Sequence, residues 1–266
     1  MNAIRLNKKI LVTGPNGFIA SRFIDKYRHK YRIHIFGGNT NKLSLPREHY
    51  DFVLHLGAEA GVRRSHENPE LYYENNVDGF QAVLRYMWHM SGYGHTNLIY
   101  ASSSSIYEWW KSPYATTKKI NEELTKSSEY VKPHQALGLR FHTVYGPNSR
   151  PDMLFDKIVR GDKIDYITDH TRDYTHVDDV CDAIDVCMKN FDKISPFHTA
   201  IDVGNGDPVS IADVVKHYRP NEELPPVKEV TGEREHTKAD PTVLINHGWR
   251  PKHNILTEDI SDYATE

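Results

Sequence analysis

The chain has 266 residues, 38% hydrophobic and 26% charged, which suits a folded protein with one large domain or two lobes around a shared core. The formal net charge is −3 with no basic cluster, so a nucleic-acid or anionic-membrane partner has no electrostatic footprint. No apolar run reaches membrane-spanning length and no signal peptide opens the chain, so a cytoplasmic protein is expected.

The first element is Ile10-Leu11-Val12, a short apolar run that predicts a buried parallel strand. Gly14 then permits a tight turn, and Gly17 lets the backbone approach a pyrophosphate at the N-terminus of the next helix. Asn16, Phe18 and Ile19 belong to the same candidate cofactor turn, and Ala20 stands where a third glycine often sits. A second strand follows at Arg32–Phe36. After it a NAD site usually carries an acid for the ribose hydroxyls. The segment Phe36-Gly37-Gly38-Asn39-Thr40-Asn41-Lys42 has none. Asn39 and Thr40 are candidate ribose partners and Lys42 a candidate for a 2′-phosphate, which leaves NAD and NADP both open.

Phe52–Leu56 predicts a third strand, Pro69 to about Met90 a long helix, and Leu98–Ala101 a strand that ends in the run Ser102–Ser105. The helix Pro113–Ser128 carries the most informative pattern. Tyr114 follows Ser103 by eleven positions, and Lys118 follows Tyr114 by four, one helical turn on the same face. A free phenol titrates near pH ~10 and is a poor base at neutrality. An ammonium held beside it is expected to favour phenolate, and a serine at a strand end can share the same substrate oxygen. The trio suits removal of a proton from an alcohol while a cofactor takes the hydride. Tyr-x-x-x-Lys arises by chance on amphipathic helices, so it gains meaning from the nucleotide turn upstream.

Ala136–Phe141 is another strand. From Tyr145 the pattern loosens into a proline-rich region, although helix Val177–Met188 and strand Ala200–Val203 are expected to return to the first lobe. The reading is a Rossmann-type doubly wound α/β parallel sheet over 1–145, with a smaller C-terminal substrate-binding lobe over 146–266 to which 177–203 does not belong. Cys181 and Cys187 lie six apart on a predicted helix, do not share a face, and read as buried free thiols. The 16 histidines are scattered without ligand spacing, so no metal is expected.

These motifs converge. From Lys9 to about Pro251 the chain resembles the extended short-chain dehydrogenase/reductase superfamily, the NAD-dependent sugar-nucleotide epimerases and dehydratases. The matching segments are the Gly14/Gly17 turn, His55-Leu56-Gly57-Ala58, Asn76-x-x-Gly79, Ser102–Tyr107, Tyr114/Lys118, Leu139–Pro147, Arg172-Asp173-Tyr174-x-x-Val177-x-Asp179 and Gly232-Glu233-x-x-x-Thr237-x-Ala239-Asp240. Three segments resemble UDP-glucuronate 4-epimerases: Ala60-Gly61-Val62-Arg63, Ser103-Ser104-Ser105 and Arg150-Pro151-Asp152-Met153.

The resemblance implies a bound NAD contacted by Leu56, Gly57, Ala58, Asn76, Ala101, Tyr114 and Lys118. It implies a UDP-sugar held by Gly61, Val62, Arg63, Ser103, Ser104 and Thr143. Arg150 would read the sugar carboxylate, and Arg172 and Arg234 the diphosphate. Ser103, Tyr114 and Lys118 would be catalytic. Decarboxylases and dehydratases of the superfamily usually carry an acid at the positions of Ser104 or Ser105, and its absence here argues for epimerisation, with Glu59 the only acid weighed as a substitute. A UDP-glucuronate decarboxylase, an NADP-dependent 4-keto reductase and a non-catalytic binding protein remain alternatives. The chain departs from the family where Gly37–Arg47 replaces a helix and a strand, and where the loop from Tyr107 to Tyr114 is short and carries Trp109 and Trp110. A homodimer through Pro69–Met90 and Pro113–Ser128 is expected, and Tyr72, Tyr73, Tyr86 and Trp88 on the outer faces of these helices are read as either interface or core.

Overall fold

A computed structural model describes residues 8–38, 46, 48–261 and 263. Strand β1 (Lys9–Thr13) leads into helix α1 (Phe18–Tyr27), then β2 (Arg32–Phe36) and β3 (Phe52–His55). Helices α2 (Val62–Glu67), α3 (Pro69–Tyr73) and α4 (Gly79–Met90) come next, followed by β4 (Asn97–Ser103), α5 (Pro113–Ser127) and β5 (Ala136–Phe141). The remaining elements are β6 (Thr143–Tyr145), α6 (Leu154–Arg160), β7 (Thr171–His176), α7 (Val177–Lys189), α8 (Phe191–Ile194), β8 (Ala200–Val203), β9 (Pro208–Ser210), α9 (Ile211–Tyr218) and α10 (Thr242–Asn246).

Six strands form one parallel sheet in the order β2-β1-β3-β4-β5-β8. Among the described residues this is the dinucleotide-binding order 3-2-1-4-5-6 without its first edge strand and with one further strand, β8, at the opposite edge. Both faces are covered, which is why the strands are continuously apolar. Ile10, Val12, Leu54, Ile99 and Leu139 face α1 and α7, where Phe23, Val180 and Ile184 close the core. The alternate residues Leu11, Val53, Leu98 and Tyr100 face α4 through Phe80, Val83, Leu84 and Met87. The outer strand β2 is thinly covered, and its Ile35 is 55% exposed.

A second sheet has the order β6-β7-β9, with β7 and β9 antiparallel. It packs on Tyr145, Phe155, Tyr174, Val214 and Ile255. Its central strand is polar and carries the fully buried Asp173. That carboxylate accepts the amides of Asn205 and Gly206 at 2.8 Å and Ala239 at 2.9 Å. Asp179, at the start of α7, likewise accepts the amides of Lys252 and His253. The two acids of the Arg172–Asp179 motif are therefore backbone clamps, each replacing several water hydrogen bonds with internal ones.

One expectation changes and one open alternative is resolved. The helix expected over Pro69–Met90 is interrupted by a π turn at Glu74–Asp78. Its aromatic residues also divide: Tyr72 and Tyr86 are core residues, while Tyr73 and Trp88 are exposed. Cys181 and Cys187 are free and buried, as the spacing indicated.

Candidate active site

Helix α5 begins with Ser112 as its cap, whose Oγ accepts the Ala115 amide at 3.2 Å, and with Pro113 in the first turn. This fixes Tyr114 at the helix entry and Lys118 one turn below it. Strand β4 runs out beside them and delivers Ser103, which is 6% exposed. Ser103 Oγ accepts the Ser105 amide at 3.1 Å and stands beside the Tyr114 phenol.

The electrostatics differ from the expected lysine effect. Burial raises the Tyr114 pKa above that of a free phenol, opposed by the Ser103 hydrogen bond and the charge of Arg150. Lys118 is not what opposes it. Its Nζ lies 5.8 Å from the Tyr114 ring centroid and is spent on the carbonyl of Ala101, 3.0 Å away. Burial lowers its own pKa to about 8.

Arg150 enters from the loop after β6. Gly61 has φ +118, and a Cβ there would stand 3.9 Å from both terminal nitrogens of Arg150. Tyr72 meets Tyr114 edge-on at 6.2 Å and donates to Ala60 O at 3.1 Å. Ser103, Tyr114, Gly61 and Arg150 therefore come together, with Val62 opening α2 behind Gly61. Asp152 lies 3.2 Å from Arg150 Nε. Thr143 is half-buried at the start of β6.

The nucleotide turn lies at the carboxyl ends of β1 and β3. Gly14 has φ +68, and a side chain there would collide with Gly57. Gly17 precedes α1, whose first turn has neither a side-chain cap nor an acid. The helix amides are thus free for an anion, and the cradle fits a dinucleotide pyrophosphate. Asn16 is exposed at the turn, while Phe18, Ile19, Leu56, Gly57 and Ala58 are half-buried around it. Thr13 Oγ1 ties the walls together, accepting the Gly57 amide at 3.3 Å and bonding His55 Nδ1 at 2.8 Å. Burial, then the nearby Lys118 charge, depress the His55 pKa to about 3, so its imidazole is neutral.

Several expected ligand residues are placed differently. Asn76 is fully buried in the π turn. Its side chain accepts the Glu59 amide at 2.7 Å and donates to Glu59 O and Thr117 Oγ1, both at 3.0 Å. It holds the wall of the site, and all three of these bonds are internal. Asn39 lies outside the described residues. Arg63, Arg172 and Arg234 do not converge on an open anion site. Arg63 Nε and Arg172 Nη2 both donate to Glu233, at 2.8 and 2.9 Å, and Arg234 donates to Ser104 O at 3.1 Å.

The sequence reading missed a network under Ser103. Ser102 Oγ donates to the buried Glu122 at 2.6 Å, and Arg140 pairs with both Glu122 oxygens at 2.8 and 2.9 Å. Arg140 also reaches the Tyr107 hydroxyl, which donates to Asp202 at 2.7 Å. The signal was present: Glu122 lies one turn beyond Lys118 on the same face of α5. The cluster of His176, His253 and Glu258 was missed too. Its imidazoles stack at 4.0 Å, and hydrogen bonds from His253 and Tyr263 already occupy the carboxylate.

Comparison with known proteins matches this architecture. Protein CapI of Staphylococcus aureus is 34% identical over 236 residues, covering 68% of this chain and 69% of CapI. UDP-glucuronate 4-epimerase 4 of Arabidopsis thaliana is 31% identical over 221 residues, covering 69% of this chain and 50% of the plant protein, so the chain spans about half the length of that relative. MoeE5 in complex with UDP-glucuronic acid and NAD superposes with a TM-score of 0.77 at 25% identity, covering 93% of this chain and 95% of MoeE5. A UDP-glucuronic acid 4-epimerase variant from Bacillus cereus, in complex with a fluorinated UDP-glucuronic acid and NAD, gives 0.76 at 25% identity over 96% of both chains. The profile of one family covers residues 10–204, from β1 to just past β8, and the chain belongs to the NAD dependent epimerase/dehydratase family.

Proposed function

We propose that this chain is a sugar-nucleotide 4-epimerase and that its substrate is UDP-glucuronate. The observation that carries the reading is the convergence at Tyr114: Ser103 stands at the phenol, and Arg150 reaches the same site beside Gly61. A base for a sugar hydroxyl and a reader for a sugar carboxylate thus share one site. The similarity to UDP-glucuronate 4-epimerases supports the same reading.

In this mechanism Tyr114, as phenolate, takes the proton of the sugar O4, and Ser103 Oγ bonds that oxygen and keeps it aligned. NAD, when bound, would supply the acceptor and later the donor of the C4 hydride, and a cationic ring that favours the phenolate. Gly14, Gly17 and the first turn of α1 would hold its pyrophosphate, and Lys118, now on Ala101 O, would hold the nicotinamide ribose. The 4-keto sugar turns over between oxidation and reduction, so the hydride returns to its other face and no net redox occurs. A 4-keto uronate is a β-keto acid and loses CO₂ when its carboxylate aligns with the ketone. Arg150 holds the carboxylate out of alignment through a bidentate pair. Ser104 and Ser105 supply no acid for elimination of water.

The partner reading is a homodimer through α4 and α5, supported by Trp88, 52% exposed and edge-on to Tyr130. A cytoplasmic location is inferred with the UDP-sugar substrate. Among the described residues no helix is long and apolar enough to cross a membrane.

Proton NMR of a UDP-glucuronate incubation with NAD tests the proposal. UDP-galacturonate with no CO₂ released is the expected product, and Tyr114→Phe should lower kcat by at least about 10²-fold. UDP-xylose or a 4-keto pentose in its place makes the enzyme a decarboxylase. Catalytic consumption of NADPH by a 4-keto sugar makes it a reductase. Full turnover by Tyr114→Phe removes the tyrosine as the base.

A further inference from the structure

Residues 232–236 run between α2, the segment 104–111 and β7. Gly232 has φ +88, and a Cβ there would collide with His66 at the end of α2 and stand 3.1 Å from Lys111 O. Arg234 reaches Ser104 O, and its Nε lies 3.6 Å from Glu108. Glu233 sits between these contacts with only 17% of its side chain exposed. Its Oε1 accepts Arg63 Nε at 2.8 Å, and its Oε2 accepts Arg172 Nη2 at 2.9 Å. Arg63 belongs to α2, beside the large sheet, and Arg172 to β7 of the small one. One carboxylate therefore ties the two walls of the cleft.

The two arginines are not equivalent. The Arg172 side chain is 12% exposed, and its Nη1 donates to the carbonyls of Thr171, Arg234 and Glu235. Its Nη2 also meets His170 Nδ1 at 2.7 Å. That guanidinium is fixed. Arg63 is 49% exposed, and its other partner is the Tyr166 hydroxyl at 3.0 Å. Of the two bonds to Glu233, the one to Arg63 can open without unpairing a buried charge.

We propose that Glu233 is a latch: its carboxylate holds the Arg63 guanidinium that the diphosphate of the sugar nucleotide takes on binding. The inference rests on the sugar-nucleotide reading of the site. A diphosphate carries more charge than a carboxylate and offers more acceptor oxygens, so it displaces Glu233 from the single bond to Arg63 and leaves it on Arg172. The exchange discriminates against weakly charged sugars, which cannot open the latch. It also costs affinity, because every diphosphate that enters must first break an ion pair.

Removing the carboxylate should therefore tighten nucleotide binding, the reverse of what loss of a substrate contact does. Calorimetric titration of the purified protein with UDP is the test. Glu233→Gln is expected to bind UDP about fivefold tighter than wild type, the scale of one partly exposed ion pair. Glu233→Asp keeps the charge but is too short to span both arginines, and is expected to fall between the two. Equal or weaker UDP binding in both variants overturns the latch. If Glu233→Gln does not fold, Glu233→Asp decides alone. UDP binding in wild type without any epimerisation would remove the proposed reaction and leave the latch standing. Absence of UDP binding in wild type would remove both.

Discussion

Lys118 is a buried ammonium, 3% exposed, and burial lowers its pKa to about 8 against 10.5 for the free side chain. The folded protein thus binds this proton less tightly than the unfolded chain. The resulting cost is fully present below the folded pKa and fades as pH rises from about 8 toward the unfolded value, a window worth about 3 kcal/mol at most. Lys118→Met removes the charge but leaves Ala101 O without its donor, which returns part of the gain. The net expectation is a melting temperature about 3–6 °C higher at pH 7, together with loss of the proposed epimerase activity. Thermal melts at pH 7 and pH 10 check this, and the gain should shrink at the higher pH. A lower melting temperature at pH 7 would mean that the Ala101 bond outweighs burial. The positions of Ser103, Tyr114 and Lys118 were legible in the sequence because they depend on one helical turn and one strand end. The protonation balance was not. It depends on Arg150 and on burial, both set by segments far away in sequence.

At the scale of elements, α1 and α7 are joined by a ladder of charges. Arg22 and Lys26 meet Asp178, Lys26 also meets Asp182, and Lys30 meets Asp185. Tyr27 and Tyr31 donate to the lower two acids. Burial raises the Asp178 pKa, but the Arg22 hydrogen bond and the charges of Lys26 and Arg22 outweigh it, and the carboxyl is pulled down to about 2. Its folded pKa lies below the unfolded value of about 3.9, so its stabilisation is present above about pH 4 and lost as pH falls through 2. Asp178→Asn should cost about 2 kcal/mol at pH 7 and about half of that at pH 3, measured by urea unfolding. A cost that does not change with pH would assign the effect to packing. The helix α7 itself was legible, since its apolar face repeats at helical spacing. The sheet β6-β7-β9 was not. Its central strand reads Thr-Arg-Asp-Tyr-Thr-His, with no apolar alternation, and the partners of Asp173 lie 32 to 66 residues away in sequence. Short-range patterning carries no trace of such pairings.

Among the described residues, the nucleotide end of the six-stranded sheet is built from glycines, with no strand outside β2. Beyond β2 the described residues supply no further strand, and the ribose acid is absent from the sequence after Phe36. Recognition of the dinucleotide then rests on the pyrophosphate cradle, where Gly14 turns against Gly57 and joins the ends of β1 and β3. A ligand that binds only the folded state stabilises all of it, by about 2.7 kcal/mol at a hundredfold excess over Kd. For a chain of this size that is an upward shift of about 5–10 °C. NAD should produce such a shift in the wild-type protein. In Gly14→Ala the new methyl group strains a positive φ and presses on the Gly57 backbone, so the ligand-free protein should melt a few degrees lower. The pyrophosphate also loses its close approach, so the NAD shift should vanish. The two effects are separable in one melting experiment, because strain alone lowers both melting temperatures equally and preserves their difference. A preserved difference in Gly14→Ala would take the turn out of the cofactor site and move the search for the pyrophosphate elsewhere along the carboxyl edge of the sheet.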